Sequence, residues 1–170
     1  MKEYVSRTVS KMKTLFKKYS VYIISIGISL AISILSALIT MGKMSIMETL
    51  AKPPLSPPPA AFPIVWTILY ILMGISAARI WQNADSRQKA QSLRIYLLQL
   101  AFNFVWSILF FNLQAYGFAF VWLIILWVLI LLMILSFSKI DKPSAYLQIP
   151  YLLWVTFAAY LNFMVWMLNK

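Results

Sequence analysis

Five runs of apolar residues, each long enough to cross a lipid bilayer as a helix, occupy most of this 170-residue chain and leave it few choices of fold. A hydrocarbon layer of roughly 30 Å takes about 20 helical residues, and the runs at 20–41, 62–81, 93–111, 118–137 and 145–168 match that length. In lipid the backbone must satisfy its own N–H and C=O groups, which makes each run a helix. With 62% of residues hydrophobic and 11% charged, water is not the main solvent. The sequence therefore predicts an all-α membrane protein, a bundle of five transmembrane helices with a proline-rich loop between helices 1 and 2.

Charge then orients the bundle. The formal net charge of +11 would suggest nucleic acid in a soluble protein, but here the charges sit at the ends of apolar runs, where they anchor helices against anionic lipid. No nucleic-acid partner is expected. With five spans, one side receives the N-terminus (Lys2, Arg7, Lys11, Lys13, Lys17, Lys18), Arg79, Arg87, Lys89, Arg94, Lys139 and Lys142, and the other receives Lys43, Lys52 and Lys170. Twelve basic residues against three predict a cytoplasmic N-terminus and a C-terminus outside, in bacterial terms in the cell membrane.

The basic stretch 1–18, with Val5, Val9, Met12 and Phe16 recurring at helical spacing, reads as an amphipathic, interfacial N-terminal extension ahead of a single domain at 19–170. A cleaved signal peptide is the competing reading; the apolar stretch that follows is too long for one and lacks a clear cleavage site. In the first span Ser25, Ser29, Ser33 and Ala37 fall four apart and predict a close-packing face, as do Gly74 and Ala78 in the second. Between them 42–61 holds Pro53, Pro54, Pro57, Pro58 and Pro59, which no continuous helix accommodates. A long loop of this kind is expected to cap one end of the bundle.

The chain has no cysteine and no histidine, which removes thiolate chemistry, His-based dyads and the usual zinc and haem-iron ligands. No metal site and no cofactor are expected. Glu3, Glu48, Asp85 and Asp141 all fall outside the spans, and without a charged relay inside the bilayer a pump or ion-coupled transporter is disfavoured. Polar and aromatic side chains at helical spacing remain. Gln99, Asn103, Trp106 and Phe110 share one face of the third span; Trp154, Ala158, Leu161 and Asn162 share one face of the fifth.

Two readings of these faces stand side by side. Asn103 and Asn162 serve either as interhelical glue or as ligand contacts. Trp81, Trp122 and Trp166 fit the aromatic belts at the membrane interfaces, whereas Trp66 and Trp154, each about a turn beyond a proline, are placed beneath the loop. A hollow lined by Trp66, Tyr70, Asn103, Trp106, Trp154, Ala158 and Leu161 would suit a large planar hydrophobic molecule held by stacking and one or two polar contacts. A tetrapyrrole would be gripped by its rings, without an axial ligand. Chance clustering in so aromatic a chain is the alternative.

Lys52-Pro53 through Pro57-Pro58, followed by Pro63-Ile64-Val65-Trp66-Thr67-Ile68-Leu69-Tyr70 and Met73-Gly74, resembles the signature of the translocator protein, or tryptophan-rich sensory protein (TspO/MBR), family. Gln99-Leu100-Ala101-Phe102-Asn103 with Trp106, Pro150-Tyr151-Leu152-Leu153-Trp154 with Phe157-Ala158, and Leu161-Asn162 with Val165-Trp166 continue the resemblance in order. It implies a five-helix bundle, usually a homodimer, with a pocket opening toward the first loop. The pocket would take porphyrins such as protoporphyrin IX and drug-like aromatic ligands. Carried over by position, Trp66, Asn103, Trp106, Trp154, Ala158 and Leu161 would line it, and with Tyr70 and Phe157 they form the expected ligand-binding set.

The resemblance leaves three functions open: a receptor or sensor that sequesters porphyrins, an enzyme of light- and oxygen-dependent porphyrin breakdown with Trp66 and Trp154 as its catalytic residues, and a tetrapyrrole transporter. Two departures stand out. Leu55 occupies a place where the family often has tryptophan, and Phe163 and Met167 replace the tyrosine and the basic residue that a sterol motif needs. Specific sterol binding is not expected.

Overall fold

The computed structural model describes residues 1–43, 50–51 and 53–169; Glu48, Lys52 and Lys170 lie outside them, as do most side chains of the N-terminal extension. The described chain is helical: α1 (Lys2–Thr40) ending in a 3-10 turn (Met41–Lys43), α2 (Ala61–Asn83), α3 (Ser86–Ser107) continuing as a π-helical turn (Ile108–Asn112), α4 (Tyr116–Ser138), α5 (Lys142–Tyr146) and α6 (Ile149–Leu168). Five helical segments are long and apolar enough to cross a membrane: Lys18–Lys43, Ala61–Asn83, Ser86–Asn112, Tyr116–Ser138 and Lys142–Leu168. The protein is an integral membrane protein. α1 runs without a break across the expected boundary at 18/19.

Local chemistry sets the limits of the helices. The polar connection expected at 82–92 shrinks to Ala84 and Asp85, because Asp85 caps α3 by accepting from the Gln88 N–H at 2.8 Å and so satisfies a donor that the first turn leaves free. The fifth span is broken in two. Asp141 caps α5, with Pro143 in its first turn, and Pro150 opens α6, since a missing N–H costs little at a helix start. The Gln148 side chain between them donates to Leu72 O at 3.3 Å.

α1 lies against α2 closely enough that a Cβ on Gly74 would sit 2.5 Å from Ile26 Cα. Gly74 thus occupies a close-contact face, as its position predicts. The face expected on α1 is corrected. Ser29, Ser36 and Thr40 are buried, whereas Ala37 is exposed and Ser25 and Ser33 are only half-buried. Residues four apart turn about 40° away from one another at each step, while residues seven apart drift only about 20°. Ser29 and Ser36 therefore hold the true stripe. Ser29 completes it with a 2.6 Å hydrogen bond to the Tyr96 hydroxyl on α3.

Two polar clasps close the bundle at its ends. At the end that carries Lys18 and Asn83, Arg79 meets Asp141 through Nε and Nη2 at 2.7 and 3.0 Å, the Ser144 N–H and hydroxyl also reach Asp141, and Ser76 donates to Ser144 O at 2.7 Å. The Arg79 guanidinium holds the Asp141 carboxyl down at about 2. At the other end the described part of the proline-rich loop is tied to α6: Ala51 N–H to Asn169 Oδ1 at 2.9 Å and the Tyr160 hydroxyl to Pro54 O at 3.2 Å.

Candidate functional site

α2, α3 and α6 converge on a buried polar chain within an otherwise apolar core. The Tyr70 hydroxyl donates to Asn103 Oδ1 at 3.0 Å, Asn103 Nδ2 donates to the Tyr151 hydroxyl at 2.8 Å, and that hydroxyl donates to Gln99 Oε1 at 2.8 Å. Gln99 Nε2 ends the series on Met73 Sδ at 3.8 Å. All five side chains are buried, where each unpaired group would be costly. A second set lies nearer the loop end: Trp106 Nε1 donates to Asn162 Oδ1 at 3.1 Å, and Asn162 Nδ2 to Tyr116 O at 2.8 Å. Asn103 and Asn162 are both engaged in joining helices.

Aromatic rings border this polar chain. Trp66 lies against Tyr70 and Tyr151, with ring centres 5.9 and 6.2 Å apart. Trp154 sits near the middle of the fifth span and reaches Phe62, in the first turn of α2, at 5.9 Å, and Phe157 at 5.8 Å. Both tryptophans are half-buried on the α2–α6 seam. The Trp154 indole N–H is buried and meets no acceptor among the described residues.

Beside Trp154 an open surface groove of about 430 Å³ is lined by Val65, Ile68, Leu69, Pro150, Leu153, Trp154 and Phe157, with Ile68 and Leu153 exposed. Of the eight sequence-predicted ligand residues, Trp154 and Phe157 line it. Trp66 stands on the adjoining seam, Tyr70, Asn103, Trp106 and Ala158 are packed inside the bundle, and Leu161 is half-buried on α6. Val65, Ile68, Leu69, Pro150 and Leu153 were not singled out from sequence. Their three- and four-residue spacing on two helices was the available signal, but in chains this apolar the same spacing recurs on every face.

The other tryptophans differ among themselves. Trp81 is exposed, with Lys89 Nζ 4.9 Å from its ring centre, as suits an interfacial belt. Trp122 stacks on Phe102 at 4.3 Å and donates to Phe102 O at 2.9 Å, and Trp166 packs on Gly117. These two serve helix–helix packing.

The description of the TspO/MBR family matches residues 25–167. The chain belongs to the TspO/MBR family. It is 37% identical to the tryptophan-rich protein TspO of Chlorobaculum tepidum, over 85% of this chain and 92% of that one. Identity is 36% to the tryptophan-rich sensory protein of Cereibacter sphaeroides, over 72% and 75% of the two chains. It is 35% to the translocator protein of Ovis aries, over 72% and 73%. In this TspO/MBR member the family match takes in both the polar chain and the aromatic seam; it begins inside α1's membrane segment and leaves out the whole extension before it.

Proposed function

We propose that this TspO/MBR protein is a membrane receptor or sensor for porphyrin-type tetrapyrroles and other planar aromatic ligands, bound at the α2–α6 seam. The observation that carries the reading is the unpartnered, buried Trp154 N–H beside an open apolar groove that Trp154 and Phe157 help to line. A flat ligand seated there would stack on Trp154, Phe157 and Trp66 and offer the indole an acceptor. Phe62 lies edge-on to Trp154, so a tetrapyrrole needs the first turn of α2, and with it the proline-rich loop, to give way.

The polar chain holds the seam's back wall rigid, which keeps the aromatic faces in place for a ligand. The positive-inside count argues for a cytoplasmic N-terminus in a bacterial cell membrane, which puts the proline-rich loop outside. A homodimer is part of the same reading, by likeness to the family.

Titration of the purified protein with protoporphyrin IX in the dark tests the proposal: tryptophan fluorescence should fall saturably, and less so in Trp154→Phe. Illumination then separates the functions. Unchanged porphyrin fits a receptor, whereas a new absorbing product that needs Trp66 or Trp154 would make the protein an enzyme. Absence of saturable quenching removes both.

A further inference from the structure

A second groove lies between α3 and α4, away from the aromatic seam and at the end of the bundle that carries Lys18. It encloses about 450 Å³ and is lined by Gln88, Gln91, Ser92, Ile95, Leu132, Leu135, Ser136, Lys139 and Ile140. Its two walls change character together. On α3 the lining passes from Gln88 and Gln91 through Ser92 to Ile95, and on the antiparallel α4 and the two residues that follow it from Ile140 and Lys139 through Ser136 to Leu135 and Leu132. Each wall covers at least eight residues, about 10 Å of helix. The groove thus carries amides and an ammonium at its outer end, beside Ile140, and is aliphatic toward the middle of the bilayer. Ser92 and Ser136 share one hydrogen bond at 2.7 Å on its floor, which uses only one of their two hydroxyl protons.

The charges around the mouth favour an anion. Lys139 lines it directly, and Arg87 and Arg94 lie on the same part of α3 as its amide wall. The two carboxylates nearby are committed elsewhere, Asp85 to the Gln88 N–H and Asp141 to Arg79. An occupant must carry a negative head and an apolar tail and must approach from the membrane, a combination that defines an anionic phospholipid. Basic recesses between transmembrane helices are suited to such headgroups.

We propose that this groove is a binding site for one anionic phospholipid, its phosphate on Lys139, Gln88 and Gln91 and an acyl chain along Ile95, Leu132 and Leu135. Native mass spectrometry of the full chain, released from micelles with equal phosphatidylglycerol and phosphatidylcholine, tests it. One phosphatidylglycerol should be retained in preference to phosphatidylcholine. Lys139→Gln should cut that preference about fivefold, the worth of one lysine near a lipid surface, and Lys142→Gln, outside the groove lining, should leave it largely intact. Ser136→Phe, which fills the floor, should remove the bound lipid of either kind. Equal retention of the two lipids, or equal losses in Lys139→Gln and Lys142→Gln, would overturn the proposal. The two lysine variants alter exposed side chains and decide the matter even if Ser136→Phe fails to fold.

Discussion

Asn103 and Tyr151 face each other across α3 and α6, the amide donating to the phenolic oxygen at 2.8 Å while the phenol passes its own hydrogen to Gln99. Tyr151 is therefore acceptor and donor at once, and it is 1% exposed. Tyr151→Phe strands a buried amide hydrogen on one side and a buried amide oxygen on the other. The expected loss is about 1–3 kcal/mol of stability, read as a lower unfolding temperature in detergent. Tyr160→Phe, which gives up one exposed bond to Pro54 O, should cost well under half of that. Equal losses would mean that the chain of polar groups contributes nothing particular to the bundle.

Trp154 reverses that logic. Its indole hydrogen is already unpaired, so Trp154→Phe removes an unsatisfied donor together with some ring area, and the two effects offset each other to within about 1 kcal/mol. Protoporphyrin IX affinity, measured by fluorescence quenching or dialysis, should nevertheless fall about tenfold if the ligand supplies the missing acceptor. A variant that loses stability but binds as before would show that Trp154 is packing alone.

The architecture was legible because the bilayer imposes it: span length, the prolines of the first loop and the scarcity of charge each admit few alternatives. Limits that depend on a single side chain were harder to read. Asp85 starts α3 seven residues before the apolar run at 93 begins, and the division of the fifth span at Leu147 and Gln148 depends on Pro150 and on Gln148 reaching Leu72. At the candidate site, the inward faces holding Asn103 and Asn162 were readable from helical spacing, but their partners were not. An amide that joins helices and one that faces a ligand have the same spacing. Only Tyr70, Tyr151, Trp106 and Tyr116, placed by the fold, tell the two apart.

Gly74→Ala tests the closest approach in the bundle. The added methyl would lie 2.5 Å from Ile26 Cα and 2.8 Å from Ile26 N, and backbone atoms cannot turn aside as a side-chain tip does. α1 must move outward, at a cost of about 1–3 kcal/mol for overpacking. Gly27→Ala, where an added Cβ meets nothing within 4 Å, is the control on the facing helix and should leave thermal stability unchanged or raise it slightly.

The Arg79–Asp141 clasp makes a pH-dependent contribution. The folded-state Asp141 carboxyl titrates at about 2, below its ordinary 3.8, because Arg79 and Ser144 favour the ionised form. A lowered carboxylate value gives stability that is fully present above the ordinary value and is lost as pH falls through the folded one. Asp141→Asn should therefore unfold at a lower temperature than the parent at pH 7, and the gap should narrow as pH drops from 4 toward 2. A gap that is constant over that range would assign the loss to the cap of α5 and not to the charge.

Leu55 carries the last prediction, because it occupies a backbone state that leucine disfavours. Its φ is 68°, at the third position of a turn in which Ser56 N–H and Ser56 Oγ both donate to Pro53 O, at 3.3 and 2.8 Å. Proline at the second position and positive φ at the third are the marks of a type II turn, where glycine is the favoured residue. The left-handed conformation costs an L side chain about 1–2 kcal/mol, and Leu55 recovers little by packing, since it is 79% exposed. Leu55→Gly should therefore stabilise the protein by about 0.5–1 kcal/mol after the extra chain entropy of glycine is set against the relief. Leu55→Ala removes the same exposed side chain and keeps the strain, so it should give no such gain. If alanine and glycine raise the unfolding temperature equally, the cause is the exposed side chain and not the backbone; if glycine alone does, the turn stores strain within the loop that must yield for a ligand to enter.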